Sequence, residues 1–322
     1  MIEITRTGKN TLVIENPVMP AAGTFGFDST AYNDLIDLTK LGAIVTNPIT
    51  WKPRRIAHGI NVIPLPSGVM IHTGVPNPGM QKVLHDYAKS WAGSLAPVIV
   101  HVLATTPDDV ARCAGSLEGR EGVVGIELGL HDQVTLDDIN AFLTAVEQNT
   151  MLPVLVRVPL YNAVETAQAA EDFGAGAVVV ANPPRGTTRD PETGQLVGGR
   201  IYGPWLKVQT LRAVGQVARA VKIPVIGSGG IHTPNDARDF LEAGAVAVQV
   251  DTVVWSHPRM IEIIARNLGG LELTRVSGAL ADEWEPGIGI TMQLERNQRH
   301  EPPPYDGDTP AIQPPMPPDL PD

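Results

Sequence analysis

From about residue 41 the chain alternates unbroken apolar runs with longer stretches in which apolar positions return every three or four residues. The apolar runs are LGAIVTN (41–47), APVIVHVL (96–103), GVVGIEL (122–128), LPVLVRV (152–158), AGAVVVAN (175–182), IPVIGSG (223–229) and AVAVQVD (245–251). They are short and rich in Val and Ile, as parallel strands buried on both faces are. The stretches between them, 106–117, 135–149, 162–174, 210–221 and 233–244, read as helices. Several open on Thr, Asp or Asn in capping position and two close on Gly, which are helix start and stop signals. Repeated strand-then-helix units with short connections predict a parallel sheet covered by helices. A further strand at PVMPAAG (17–23) brings the count to eight. The expected architecture is therefore α/β, a single (β/α)8 TIM barrel over residues 1–270. A doubly wound open sheet is the runner-up, weakened because no GxGxxG follows the first strand.

The pattern fades after residue 270. Residues 271–300 form a C-terminal extension of ambiguous character. Residues 301–322 carry nine prolines and only acidic charges; such a tail cannot build a core and is expected to be disordered.

Charge and composition narrow the function classes. The net charge of −11 argues against general affinity for nucleic acid or anionic membrane. No run approaches the roughly 18 apolar residues of a membrane span, and the N-terminus lacks the apolar segment of a secretion signal. A cytoplasmic protein acting on a small-molecule substrate is expected. The single cysteine, Cys113, leaves neither a disulfide framework nor a multi-cysteine metal site, and no metal is expected.

In a barrel of this kind, working residues gather at the C-terminal ends of the strands. Those positions are Ala22, Gly23, Asn47, His101, Glu127, Arg157, Asn182, Ser228 with Gly229 and Gly230, and Asp251 with Thr252. The stretch VIGSGGIHTPNDARDFLEAGAVAVQVDT (225–252) looks built to hold a phosphate. Its glycines admit close backbone approach, and the helix after Ile231 is expected to present free N–H groups. Strand alternation turns Ala247, Gln249 and Asp251 into the barrel, so a carboxylate approaches the same corner. At about 6 Å and an effective dielectric near 20, each pair of unit charges would cost roughly 3 kcal/mol.

The order of these motifs resembles the dihydroorotate dehydrogenases, FMN-containing barrels that oxidise dihydroorotate to orotate in pyrimidine biosynthesis. The resemblance covers roughly residues 5–265 and is most specific in GPWLKVQTLRAVGQVARAVKIPVIGSGGI (203–231) and FLEAGAVAVQVDT (240–252). NPVMPAAGTFGF (16–27), LGAIVTNPITWKPR (41–54), GVPNPG (74–79), GIEL (125–128) and PVLVRV (153–158) also carry it. It implies a flavoprotein oxidoreductase acting on CH–CH groups, with hydride passing from dihydroorotate or a related cyclic amide to FMN. It further implies a homodimer and permits an electron-transfer partner subunit.

Carried over position by position, Ala22 and Gly23 match backbone lying against the flavin, Gly203, Gly229 and Gly230 its phosphate glycines, and Asn182 an asparagine that touches substrate. Asn47, Arg157, Asp251 and Thr252 fall at further cofactor positions, but three of these depart from the pattern. Asn47 and Arg157 replace lysines, and Asp251 replaces the glycine before Thr252. The loop Asn-x-Ser-Cys-Pro-Asn, which carries the family's catalytic base, corresponds to Gly129-Leu130-His131-Asp132-Gln133-Val134. Asp132 falls at the position of that base with His131 beside it, and either could remove a proton; Asp132, Arg157 and Asn182 form the candidate catalytic set. The alternative is a catalytically degenerate barrel serving as a partner or regulatory subunit, and a third reading is the same flavin with a different substrate.

Overall fold

The computed structural model describes residues 1–5 and 11–268. The extension 271–300 and the tail 301–322 lie outside the described residues. Eight parallel strands form one sheet: β3 (Val18–Pro20), β4 (Ile44–Val45), β7 (Val98–Leu103), β8 (Val123–Gly129), β9 (Val154–Val158), β10 (Ala177–Val180), β13 (Val225–Ser228) and β14 (Ala247–Val250). Their order is β3-β14-β13-β10-β9-β8-β7-β4. The two edge strands approach each other where the Gly42 amide donates to the Val18 carbonyl at 2.9 Å, which brings the sheet close to a full circle. A side chain could not be accommodated there, since a Cβ on Gly42 would stand 2.0 Å from the Asn16 carbonyl oxygen.

Helices α1 (Met80–Ala92), α2 (Pro107–Leu117), α3 (Leu136–Glu147), α4 (Ala163–Asp172), α5 (Lys207–Ala220), α6 (Pro234–Glu242), α7 (Val253–Ser256) and α8 (Met260–Leu268) alternate with the strands. The TIM-barrel expectation therefore holds, and each strand and helix expected from the pattern is found with its ends trimmed or shifted by a few residues. Thr106, Thr135 and Thr233 do cap α2, α3 and α6, each hydroxyl accepting from the third helical amide. Asn162 precedes α4 without a side-chain cap bond. Among the described residues no helix is long and apolar enough to cross a membrane.

Two further features were not foreseen. A hairpin of β1 (Ile2–Glu3) and β2 (Val13–Ile14) sends Ile4, Leu12 and Ile14 into a buried cluster with Met19, Val45, Ile99, Leu155, Val179, Ile226 and Ala247. The lower barrel is thereby filled with apolar side chains. At the other end, β5 (Val62–Leu65) and β6 (Gly68–Ile71) follow barrel strand β4, while β11 (Arg185–Arg189) and β12 (Leu196–Tyr202) follow β10. They join as an antiparallel sheet in the order β11-β12-β6-β5. Both pairs are inserted after C-terminal strand ends, so this sheet belongs to the rim of the mouth.

Candidate functional site

The apolar cluster also explains what lies at the mouth. Inward side chains recur every second residue along a strand. Two positions beyond Val45, Ile99, Leu155, Ile226 and Ala247 stand Asn47, His101, Arg157, Ser228 and Gln249, and Glu127 joins them from β8. Apart from Asn47, which is half-buried, all are buried, Glu127 and Gln249 completely. A polar layer thus sits directly on the apolar one.

Apart from Asn47, its members are bonded to each other. Glu127 accepts from Arg157 Nε at 2.9 Å, from His101 Nδ1 at 2.7 Å and from Gln249 Nε2 at 2.5 Å. Arg157 also donates to the Ala181 carbonyl at 2.9 Å, to Ser228 Oγ at 3.4 Å and to Gln249 Oε1. Burial pushes the Glu127 carboxyl up, but Arg157, His101 and Gln249 outweigh that and hold it at about 2. Buried charges persist when they are paired and hydrogen-bonded in this way.

Asp251, half-buried at the end of β14, is held much less firmly. Its carboxylate accepts from the Thr24 hydroxyl at 3.2 Å and makes no ion pair among the described residues. Desolvation raises it to about 6, with the Arg157 charge and the Thr24 bond working the other way. Tyr202 is raised as well, by burial and then by the Asp251 charge.

The glycine corner is tightly built. Gly229 and Gly230 have φ of 115° and 75°, conformations that favour glycine. A Cβ on Gly230 would meet the Lys207 amide nitrogen at 2.3 Å, and one on Gly203 the Ser67 carbonyl oxygen at 2.6 Å. The start of α6 differs from expectation. The amides leading into it are taken, because Asp236 accepts from those of His232 at 3.0 Å and Thr233 at 2.8 Å, and the Asp236 amide itself donates to Thr233 Oγ1 at 3.1 Å. A Thr-x-x-Asp capping box has closed that end, and Lys207 pairs with Asp236 at 2.6 Å and with Asp239 at 2.5 Å.

The remaining sequence-derived positions fall at the same rim. Ala22 and Gly23 follow β3; Gly23 has φ 95° and faces open space where a side chain would stand. Asn47 follows β4, with its Oδ1 buried and unpartnered. Asn182 Nδ2 donates to the Leu130 carbonyl at 2.8 Å, tying the end of β10 to the loop after β8. Thr252 Oγ1 lies 3.1 Å from His232 Nε2. Asp132 stands apart from the polar layer. Its two oxygens accept from Arg185 at 2.9 Å and Arg200 at 2.7 Å, both on the antiparallel sheet. It borders a cavity of about 500 Å³ that Tyr161, Pro184, Arg185 and Arg212 also line, and His101, Glu127 and Arg157 do not.

A family model described as dihydroorotate dehydrogenase matches residues 7–271. The chain belongs to the dihydroorotate dehydrogenase family. Among curated relatives it is similar to the dihydroorotate dehydrogenase B (NAD(+)) catalytic subunit of Desulforudis audaxviator, 35% identical over 274 residues, covering 80% of this chain and 89% of the relative. The subunit of the same name from Geotalea uraniireducens is 33% identical over 289 residues, covering 84% and 93%. That of Maridesulfovibrio salexigens is 32% identical over 291 residues, covering 85% and 94%.

Membership in this family makes FMN the group to test against the geometry. The open face of Gly23, the orphaned Asn47 amide and the close-packed Gly203, Gly229 and Gly230 fit a flavin nucleotide lying across the mouth. The buried Asp251 carboxylate at the end of β14 does not favour an anionic group. His101, Ser228 and Gln249 carried no role in the family-based reading, although Gln249 was expected to point inward. The period-two step beyond the apolar positions was the signal that marks all three.

Proposed function

We propose that this chain is the catalytic barrel of a dihydroorotate dehydrogenase, oxidising dihydroorotate to orotate in pyrimidine biosynthesis. The observation that carries the reading is that the family model matches residues 7–271, a span that contains the barrel and the glycine corner that frames the mouth. Ala22, Gly23, Asn47, Gly203, Gly229, Gly230, Asp251 and Thr252 would hold FMN, which when bound supplies the acceptor for substrate hydride. Arg157 contributes a fixed positive charge below it, balanced by Glu127, and Asn182 faces the substrate.

Asp132 is the proposed proton acceptor, in the loop position where the family carries its base. Its two oxygens accept from Arg185 and Arg200, and each keeps a lone pair free to take a proton. A chain similar to subunits named as catalytic is proposed to work with a second subunit that passes electrons to NAD+, and to do so in the cytoplasm. A homodimer of the barrel is part of the same proposal.

The test is an absorbance spectrum of the purified protein before and after incubation with FMN, followed by anaerobic addition of dihydroorotate. A yellow protein that bleaches on addition supports the reading. Protein that stays colourless after FMN and gel filtration overturns it.

A further inference from the structure

The cavity beside Asp132 has walls that the proposed reaction does not use. It encloses about 500 Å³, a volume that suits a small molecule. Three elements build it. Leu160 and Tyr161 come from the turn between β9 and α4, and Pro184 and Arg185 from the start of β11. The remaining wall is one face of α5, where Gln209, Arg212, Ala213 and Gln216 follow the three- and four-residue spacing of a single helical stripe.

Its chemistry divides into an apolar floor and a cationic edge. Ala213 is buried, and Leu160 and Pro184 are half-buried. Tyr161 is fully exposed, so its ring stands in water beside that floor, and an aromatic ring gains from a flat apolar surface laid against it. Arg185 commits its Nε to Asp132 at 2.9 Å, while its two terminal nitrogens make no hydrogen bond among the described residues. Arg212 makes neither an ion pair nor a side-chain hydrogen bond among them. The cavity therefore holds two guanidiniums against the single carboxylate of Asp132, which is already shared with Arg200. It is locally positive in a chain whose net charge is −11.

We propose that this cavity is a second ligand site, separate from the polar layer of the mouth, for a planar ring that carries a carboxylate. The ring lies between Tyr161 and the apolar floor. Arg212 takes the carboxylate, which the planar fork of a guanidinium matches at two points, and Arg185 adds the second positive charge. A neutral ring leaves the cations unanswered, and an aliphatic anion leaves the tyrosine uncovered. The site goes beyond the proposed function, since binding here requires neither FMN nor turnover. It touches that function at one point: Arg185 is shared between the cavity and Asp132. An anion drawn to Arg185 weakens its hold on the Asp132 carboxylate, and the coupling works equally in both directions.

The experiment uses the full chain, with 2-naphthoate as the probe and 2-naphthamide as its uncharged counterpart, both followed by saturation-transfer NMR. The acid is expected to bind about 10-fold more tightly than the amide, the worth of one hydrogen bond to a charged group. That margin should shrink at about 1 M salt, where exposed charges are screened. Arg212→Gln, which keeps a polar side chain, should cut the margin below about twofold. Tyr161→Ala should weaken acid and amide alike. Both side chains are exposed, so neither variant threatens the fold. An unchanged margin in Arg212→Gln, or no binding of the acid at about millimolar concentration, overturns the inference. A Tyr161→Ala protein that changes from dimer to monomer in sedimentation velocity also overturns it, because a second copy of the chain then fills the cavity.

With dihydroorotate as substrate, 2-naphthoate is expected to change kcat and leave KM unaltered, and the effect should vanish in Arg212→Gln. Competition between probe and substrate would place the probe in the mouth and overturn the inference. Protein that binds the probe as described but does not oxidise dihydroorotate keeps this site and refutes the proposed function instead.

Discussion

Asp251→Asn removes a charge while keeping an oxygen for the Thr24 hydroxyl, so it isolates the electrostatic cost of the carboxylate. The folded carboxyl sits at about 6, raised by burial against the pull of Arg157 and Thr24. In the unfolded chain it returns to the ordinary aspartate value near 3.9. Because the folded state binds the proton more tightly, wild-type stability falls as pH rises from about 4 through 6. A displacement of roughly two pH units at 1.36 kcal/mol each corresponds to about 3 kcal/mol at neutral pH, and about half that at pH 5. The asparagine variant carries none of this cost. Urea unfolding of both proteins without FMN at pH 5 and at pH 8 should show the variant more stable at both, with the gap about 1 kcal/mol wider at pH 8. Glu127, held at about 2, loses its stabilising contribution only as pH falls below about 4.5, outside this window. A gap that does not change with pH, or a variant less stable than wild type, would refute the account of Asp251 as a strained buried charge.

The same variant should gain affinity for FMN far more than for riboflavin at pH 8, by up to about 100-fold if phosphate and carboxylate approach to about 6 Å; equal gains for the two, by fluorescence titration, would place the phosphate elsewhere. Glu127→Gln leaves the Arg157 guanidinium buried without its counter-charge and should cost about 3–5 kcal/mol in urea unfolding. Gly230→Ala drives a methyl onto the Lys207 amide at a positive φ, and should lower the melting temperature measured by circular dichroism by several degrees. Asp132→Asn, if Asp132 is the proton acceptor, should lower kcat for dihydroorotate at least 100-fold with FMN binding unchanged; an undiminished kcat would move the proton to another residue.

The barrel was legible because its signal is repetitive. Short Val- and Ile-rich runs spaced by amphipathic stretches leave few architectures open, and buried strand residues must follow a period of two. That period also marks the polar layer, since His101, Arg157 and Gln249 each stand two residues beyond an interior apolar position. Which of these residues pair was not legible. Glu127 meets Gln249 across 122 positions of sequence and Arg157 across 30, contacts that exist only because the sheet curls until β8 faces β14. The partners of Asp132 are hidden for the same reason. Arg185 and Arg200 lie 53 and 68 positions away, on a hairpin whose strands alternate weakly and pair at the rim. The closed start of α6 was written in the sequence, as TPND places a carboxylate at the third helical position.

Several departures from the family pattern are coupled at the mouth. A lysine at 157 would offer three donors on one nitrogen, whereas Arg157 reaches Glu127, Ala181, Ser228 and Gln249 from a rigid fork. The fork anchors Glu127, the anchored carboxylate orients His101, and the ring of His101 fits only because residue 129 is glycine. Changing Arg157 to lysine, or giving residue 129 a side chain, would therefore strand a buried polar group. Asp251 is not hydrogen-bonded into this network; its partner is the Thr24 hydroxyl, although the Arg157 charge still acts on it. Glu127 and Arg157 cancel each other within the buried layer, which leaves the Asp251 carboxylate beside it without an ion pair among the described residues.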